Sequence, residues 1–160
     1  MKLYLASPYG FTTAGQDFMN KTVIPLLSKD KHIILNPWSD SFSINKKIGK
    51  LINKSQIVEL KQLNTSIAQK NMDMIDESDL VLAVLDGSDV DSGVAAEIGY
   101  AFAQKKRVLG YRSDFRLTGD NIGSIINLQV EFFIEKSGGK IFHSLTEIKK
   151  EIKKYASNLD

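Results

Sequence analysis

The chain contains no cysteine among its 160 residues, so it has neither a disulfide framework nor thiolate chemistry. Its two histidines, His32 and His143, stand far apart, which argues against a zinc site. No apolar run approaches the length needed to span a bilayer, and the first residues lack a signal-peptide pattern. An excess of one charge is also missing: 21 Lys and Arg against 19 Asp and Glu leave a formal net charge of +2. The basic residues are scattered or gathered near the C-terminus, with no footprint for a nucleic-acid polymer. A Gly-rich phosphate loop is absent too. What remains is the expectation of a soluble, cytoplasmic protein with no cofactor, metal or membrane partner, whose only credible catalytic groups are carboxylates and amides.

With 42% hydrophobic residues over this length, one well-cored domain spanning 1–160 is expected. Strands are read at Lys2–Ser7, Lys31–Leu35, Leu80–Leu85, Lys106–Tyr111 and Lys140–His143. Helices are read at Thr13–Ser28, kinked by Pro25, at Gln56–Glu77, from Gly93, at Ile122–Ile134 and after the capping box of Ser144 and Glu147. The stretch from Asn36 to about Ser55 shows no clean period and reads as a long, partly helical loop. Arg112 to Arg116 reads as an exposed loop with a surface ion-pair network of small energetic weight. Strands alternating with helices give a doubly wound, five-stranded parallel sheet with helices on both faces.

The organising stretch is Leu80 to Tyr100. Six aliphatic residues, Leu80 to Leu85, suit a strand covered on both faces, as in a parallel sheet. The acidic loop that follows lies at the carboxyl edge of such a sheet, where ligands bind in open α/β folds. Val94, Ile98, Ala101 and Phe102 then form a helical stripe, and Glu97 falls at its margin, partly shielded from water. The helix start favours its anionic form. Ionised carboxylates suit cleavage at a sugar's anomeric carbon, where positive charge develops, and Glu97 and Asp91 are the natural pair. Helix-start preferences alone would also place Asp and Glu at these positions.

Three segments together resemble the nucleoside 2-deoxyribosyltransferase family: Leu3-Tyr4-Leu5-Ala6-Ser7-Pro8, Asp79-Leu80-Val81-Leu82-Ala83, and Asp91-Ser92-Gly93-Val94-Ala95-Ala96-Glu97-Ile98-Gly99-Tyr100-Ala101. The last is the most specific. The resemblance implies a flavodoxin-like fold and a retaining double displacement on 2′-deoxyribonucleosides, with free nucleobases as acceptors. It implies that Glu97 attacks C1′ and carries the sugar as an ester, that Asp91 binds and protonates the base, and that Tyr4 orients the nucleophile. It further implies that Asn127 is lent to the site of a neighbouring subunit in a homo-oligomer. Many members carry an aspartate where this chain has Asn71, and an amide cannot donate a proton as a carboxylic acid does.

Softer candidates surround these. Ser7 and Gly10, at the end of the first strand, are placed near the sugar, and Gly93 near the substrate. Phe11 and Trp38 offer faces on which a base can stack, with packing as the simpler role. Phe132 and Phe133 suggest burial against another subunit. Two other functions fit the same residues: hydrolysis of a nucleoside or nucleoside 5′-monophosphate through the same intermediate, and non-catalytic nucleotide sensing.

Overall fold

In the computed structural model, which describes residues 1–158, β1 spans Lys2–Ala6. A 3-10 turn, Pro8–Phe11, follows, with Ser7 as its cap. Next come α1 (Thr13–Phe18), a π-helical turn (Met19–Val23) and α2 (Ile24–Ser28). The π turn directly precedes Pro25, whose missing N–H leaves a helical carbonyl without its usual donor. β2 (Ile33–Leu35) is followed by α3 (Ser41–Asn53) and α4 (Ile57–Glu77). β3 (Leu80–Val84), α5 (Ser92–Ala103) and β4 (Arg107–Tyr111) form the centre. α6 (Leu128–Lys136), β5 (Ile141–Phe142) and α7 (Leu145–Ala156) complete the chain.

The five strands are all parallel, in the order β2-β1-β3-β4-β5. This is the flavodoxin-like order, whose switch point lies between the first and third strands. Every residue of β3 is buried, because its two sets of alternating side chains enter different cores. Leu80, Leu82 and Val84 pack with Met19, Val23 and Leu27 and with Ile148 and Ile152 of α7. Val81, Ala83 and Leu85 pack with Ile75 of α4, Ile98 and Ala101 of α5, and Ile134 of α6. Tyr4 belongs to this second core and is fully buried.

Three sequence expectations need correction. The stretch read as a long, partly helical loop holds a regular helix of 13 residues, α3. Ile44, Ile48, Leu51 and Ile52 recur there at helical spacing. α6 begins at Leu128 rather than Ile122, because the Asn127 side chain accepts hydrogen bonds from the amides of Gln129 and Val130 and caps the helix there. Arg112 is not an exposed loop residue but fully buried. Its guanidinium donates to the carbonyls of Leu85 and Arg116, tying together the loops after β3 and β4. The ion pair in that loop joins Asp114 and Arg116.

Candidate active site

The cavity lies at the carboxyl edge of the sheet, beside the switch point, and has a volume of about 340 Å³. Four structural units wall it: the end of β1 with Ser7 and Phe11, the Pro37-Trp38 turn with α3, α4 with Ile67 and Asn71, and the start of α5 with Asp91, Gly93, Val94 and Glu97. None of its lining residues is Lys, Arg or His.

Glu97 sits in the second turn of α5, partly buried. Its Oε1 accepts a hydrogen bond of 2.7 Å from the Tyr4 hydroxyl and a longer one of 3.4 Å from the Asn71 side-chain amide. Oε2 accepts none among the described residues. The Glu97 carboxyl is pushed up to about 7, chiefly by burial and in smaller part by the negative charge of Asp91, against the opposing bonds from Tyr4 and Asn71. The helix-start effect expected to favour the anion is thus outweighed by desolvation, because Glu97 lies beyond the first turn where that effect acts. The Tyr4 hydroxyl is itself pushed well above the ordinary phenol range, chiefly by burial and then by the neighbouring Glu97 charge. It therefore stays a donor.

Asp91 caps α5, with Oδ1 accepting from the amide of Val94 at 3.0 Å. Its other oxygen has no hydrogen-bond partner among the described residues. Gly93 keeps this corner open, since a Cβ there would stand 3.1 Å from Asp91 Oδ1.

Trp38 links two of the walls. Its indole N–H donates to the carbonyl of Ser7 at 2.8 Å, and its ring meets Phe11 edge-on with centroids 4.6 Å apart. Gly10 lies beneath the indole, and a Cβ on it would fall 1.8 Å from Trp38 Cδ2. Gly10 therefore lets Trp38 approach and does not itself line the cavity, contrary to its expected place near the sugar.

Glu97, Asp91, Asn71, Ser7, Phe11 and Gly93 thus meet at one cavity, with Tyr4 directly behind Glu97. Asn127 does not reach the cavity of its own chain and serves there as a helix cap. Ser41, Ile44, Asn45 and Ile48 of α3 and Ile67 of α4 were not singled out in the sequence, although they line the cavity. The four on α3 are spaced i, i+3, i+4, i+7, one face of a helix, and that spacing is the signal that could have found them.

A family model for nucleoside 2-deoxyribosyltransferases matches residues 3–131. Among solved structures, a 2-deoxyribosyltransferase from Leishmania mexicana aligns with a TM-score of 0.64 at 23% identity, covering 91% of this chain and 92% of that one. A 2-deoxyribosyltransferase from Bacillus psychrosaccharolyticus aligns with a TM-score of 0.63 at 20% identity, over 93% of this chain and 90% of that one. A CMP N-glycosidase from Clostridium botulinum aligns with a TM-score of 0.52 at 16% identity, over 96% and 99% of the two chains. At these identities the likeness is one of fold. No curated protein matches the chain.

Proposed function

Since the chain belongs to the nucleoside 2-deoxyribosyltransferase family, we propose that it moves 2-deoxyribose from a 2′-deoxyribonucleoside to a free purine or pyrimidine. The observation that carries this reading is Glu97. It is a partly buried carboxylate on the cavity wall whose Oε1 is held by Tyr4 and Asn71 while Oε2 has no partner among the described residues.

In the first step Oε2 attacks C1′, the C1′–N bond breaks, and its electron pair leaves with the base, which takes up a proton. Asp91 is the group suited to guide that proton, because its Oδ2 is free and Asn71 can offer only an amide to the base. In the second step a nitrogen of the incoming base bonds to C1′ and gives up its proton, the C1′–O bond to Glu97 breaks, and its electron pair returns to the carboxylate. Two inversions at C1′ retain the configuration. Tyr4 keeps Oε1 engaged and so turns Oε2 toward the sugar. Ser7 and Phe11 are suited to flank sugar and base, and Gly93 leaves room beside Asp91. Asn127, unused at its own cavity, is suited to complete the site of a second copy in a homo-oligomer. The lack of a cationic lining residue favours an uncharged nucleoside over a nucleotide, since a phosphate is ordinarily held by Arg, Lys or a cradle of backbone amides.

The test is mass spectrometry after incubation with a deoxynucleoside, combined with product analysis with and without a second free base. A deoxyribosyl adduct on Glu97, and exchange lost in Glu97→Ala, are expected. Exchange by Glu97→Ala at near wild-type rate would refute the assignment. Base release without any exchanged nucleoside would point to hydrolysis instead, and binding without adduct or turnover to a sensor.

A further inference from the structure

The cavity that contains Glu97 is also lined by three isoleucines, Ile44 and Ile48 on α3 and Ile67 on α4. Ile67 stands one helical turn before Asn71, the residue whose amide reaches Glu97. The apolar surface on α4 therefore begins one turn from the residue that contacts the carboxylate. α3 contains no fully buried residue, and Ile44 and Ile48 are half-buried where this helix packs against α4 and borders the cavity. Their side chains are spaced one turn apart and directed at the cavity.

Under the reading of Glu97 as nucleophile, on which this inference rests, the enzyme passes through an interval when the first base has left and the second has not arrived. During that interval water competes for C1′. A water molecule is held near an ester only where polar groups give it hydrogen bonds; the three isoleucines give none, although Ser41 and Asn45 on the same face of α3 are polar. The same wall accepts the flat apolar face of a base. We propose that Ile44, Ile48 and Ile67 set the partition of the glycosyl ester between an acceptor base and water. In transfer, a base nitrogen bonds to C1′, the C1′–O bond to Glu97 breaks with its electron pair returning to the carboxylate, and the base loses its N–H proton. In hydrolysis a water oxygen bonds to C1′ in place of the base, gives up a proton, and free deoxyribose leaves. Only the access of the two nucleophiles differs, so the wall can shift the outcome without touching the chemistry.

The experiment compares wild type with Ile44→Ser and Ile48→Ser. It uses a deoxynucleoside donor and a saturating free base, and measures free deoxyribose and exchanged nucleoside together. Each serine variant is expected to raise the ratio of hydrolysis to transfer, both read from the same ester, by about tenfold. Ile48→Met, which keeps the surface apolar, is expected to keep the wild-type ratio. Serine variants that exchange bases at a ratio within about twofold of wild type would overturn the proposal, as would a methionine variant that hydrolyses like the serine ones. Failure of the parent reading has a different signature, because wild type itself would then yield no exchanged nucleoside.

Discussion

Replacing Tyr4 with Phe removes one hydroxyl from a fully buried ring and leaves its packing intact. That hydroxyl donates 2.7 Å to Glu97 Oε1, and the only other donor to this carboxylate among the described residues is Asn71 at 3.4 Å. A hydrogen bond to a charged group contributes about 1.5–3 kcal/mol. At about 1.4 kcal/mol per pH unit, its loss raises the ionisation midpoint of Glu97 by roughly one to two pH units. The wild-type carboxyl titrates near 7, so the variant should need a pH of about 8–9 to be half ionised. Since attack on C1′ requires the carboxylate, kcat/KM for base exchange should rise with pH in both proteins, with the Tyr4→Phe curve displaced upward. At pH 7 the variant should be slower by about five- to fiftyfold, and it should recover much of that deficit by pH 9. The assay is the initial rate of exchange at low donor concentration from pH 5 to pH 10. A ring that only shapes the pocket predicts a uniform loss at every pH. A Tyr4→Phe profile with the wild-type midpoint, or one displaced to lower pH, refutes the reasoning.

Two other outcomes follow from the same site. Glu97 binds its proton up to about 7 in the fold against an ordinary 4.5, so the native state holds more protons than the unfolded chain between those values and stability falls as pH rises through them. Glu97→Gln has no such loss, and its advantage in chemical denaturation should be small near pH 4 and grow to on the order of 1–3 kcal/mol at pH 8; an advantage independent of pH would contradict this. Gly10→Ala places a methyl where the Trp38 indole lies and should cost about 1–3 kcal/mol of stability by overpacking, with a raised KM as the Ser7 carbonyl loses its indole partner; an unchanged denaturation midpoint and KM would show that Trp38 yields freely.

The sheet was legible because its strands are short, largely apolar stretches, and the aliphatic run Leu80–Leu85 that contains β3 allows no amphipathic alternative. The cap and stripe of α5 were equally visible, and with them the adjacency of Asp91 and Glu97. What escaped the sequence depends on partners distant along the chain. The bond from Tyr4 to Glu97 joins residues 93 positions apart, and only the family resemblance, no local pattern, pairs them. Arg112 is buried because carbonyls of two loops converge on it, and no local pattern announces that. α3 is the exception, since Ile44, Ile48, Leu51 and Ile52 stand at helical spacing and announce it locally. The titration of Glu97 was misjudged for a related reason: the helix start is local and readable, whereas desolvation depends on every element packed around the carboxylate.

A wall with no anchor in the interior has an evolutionary corollary. Glu97, Tyr4 and Asp91 sit on elements whose neighbours form the two cores, so changes there put the whole architecture at risk. Ser41, Ile44, Asn45 and Ile48 belong to a helix that contributes nothing buried. Substitutions among these four can be sampled one after another without threatening the molecule's ability to fold. Under the proposed transfer, α3 is therefore a place where tolerance for different bases can drift, or be engineered, while the proposed reacting groups stay as they are.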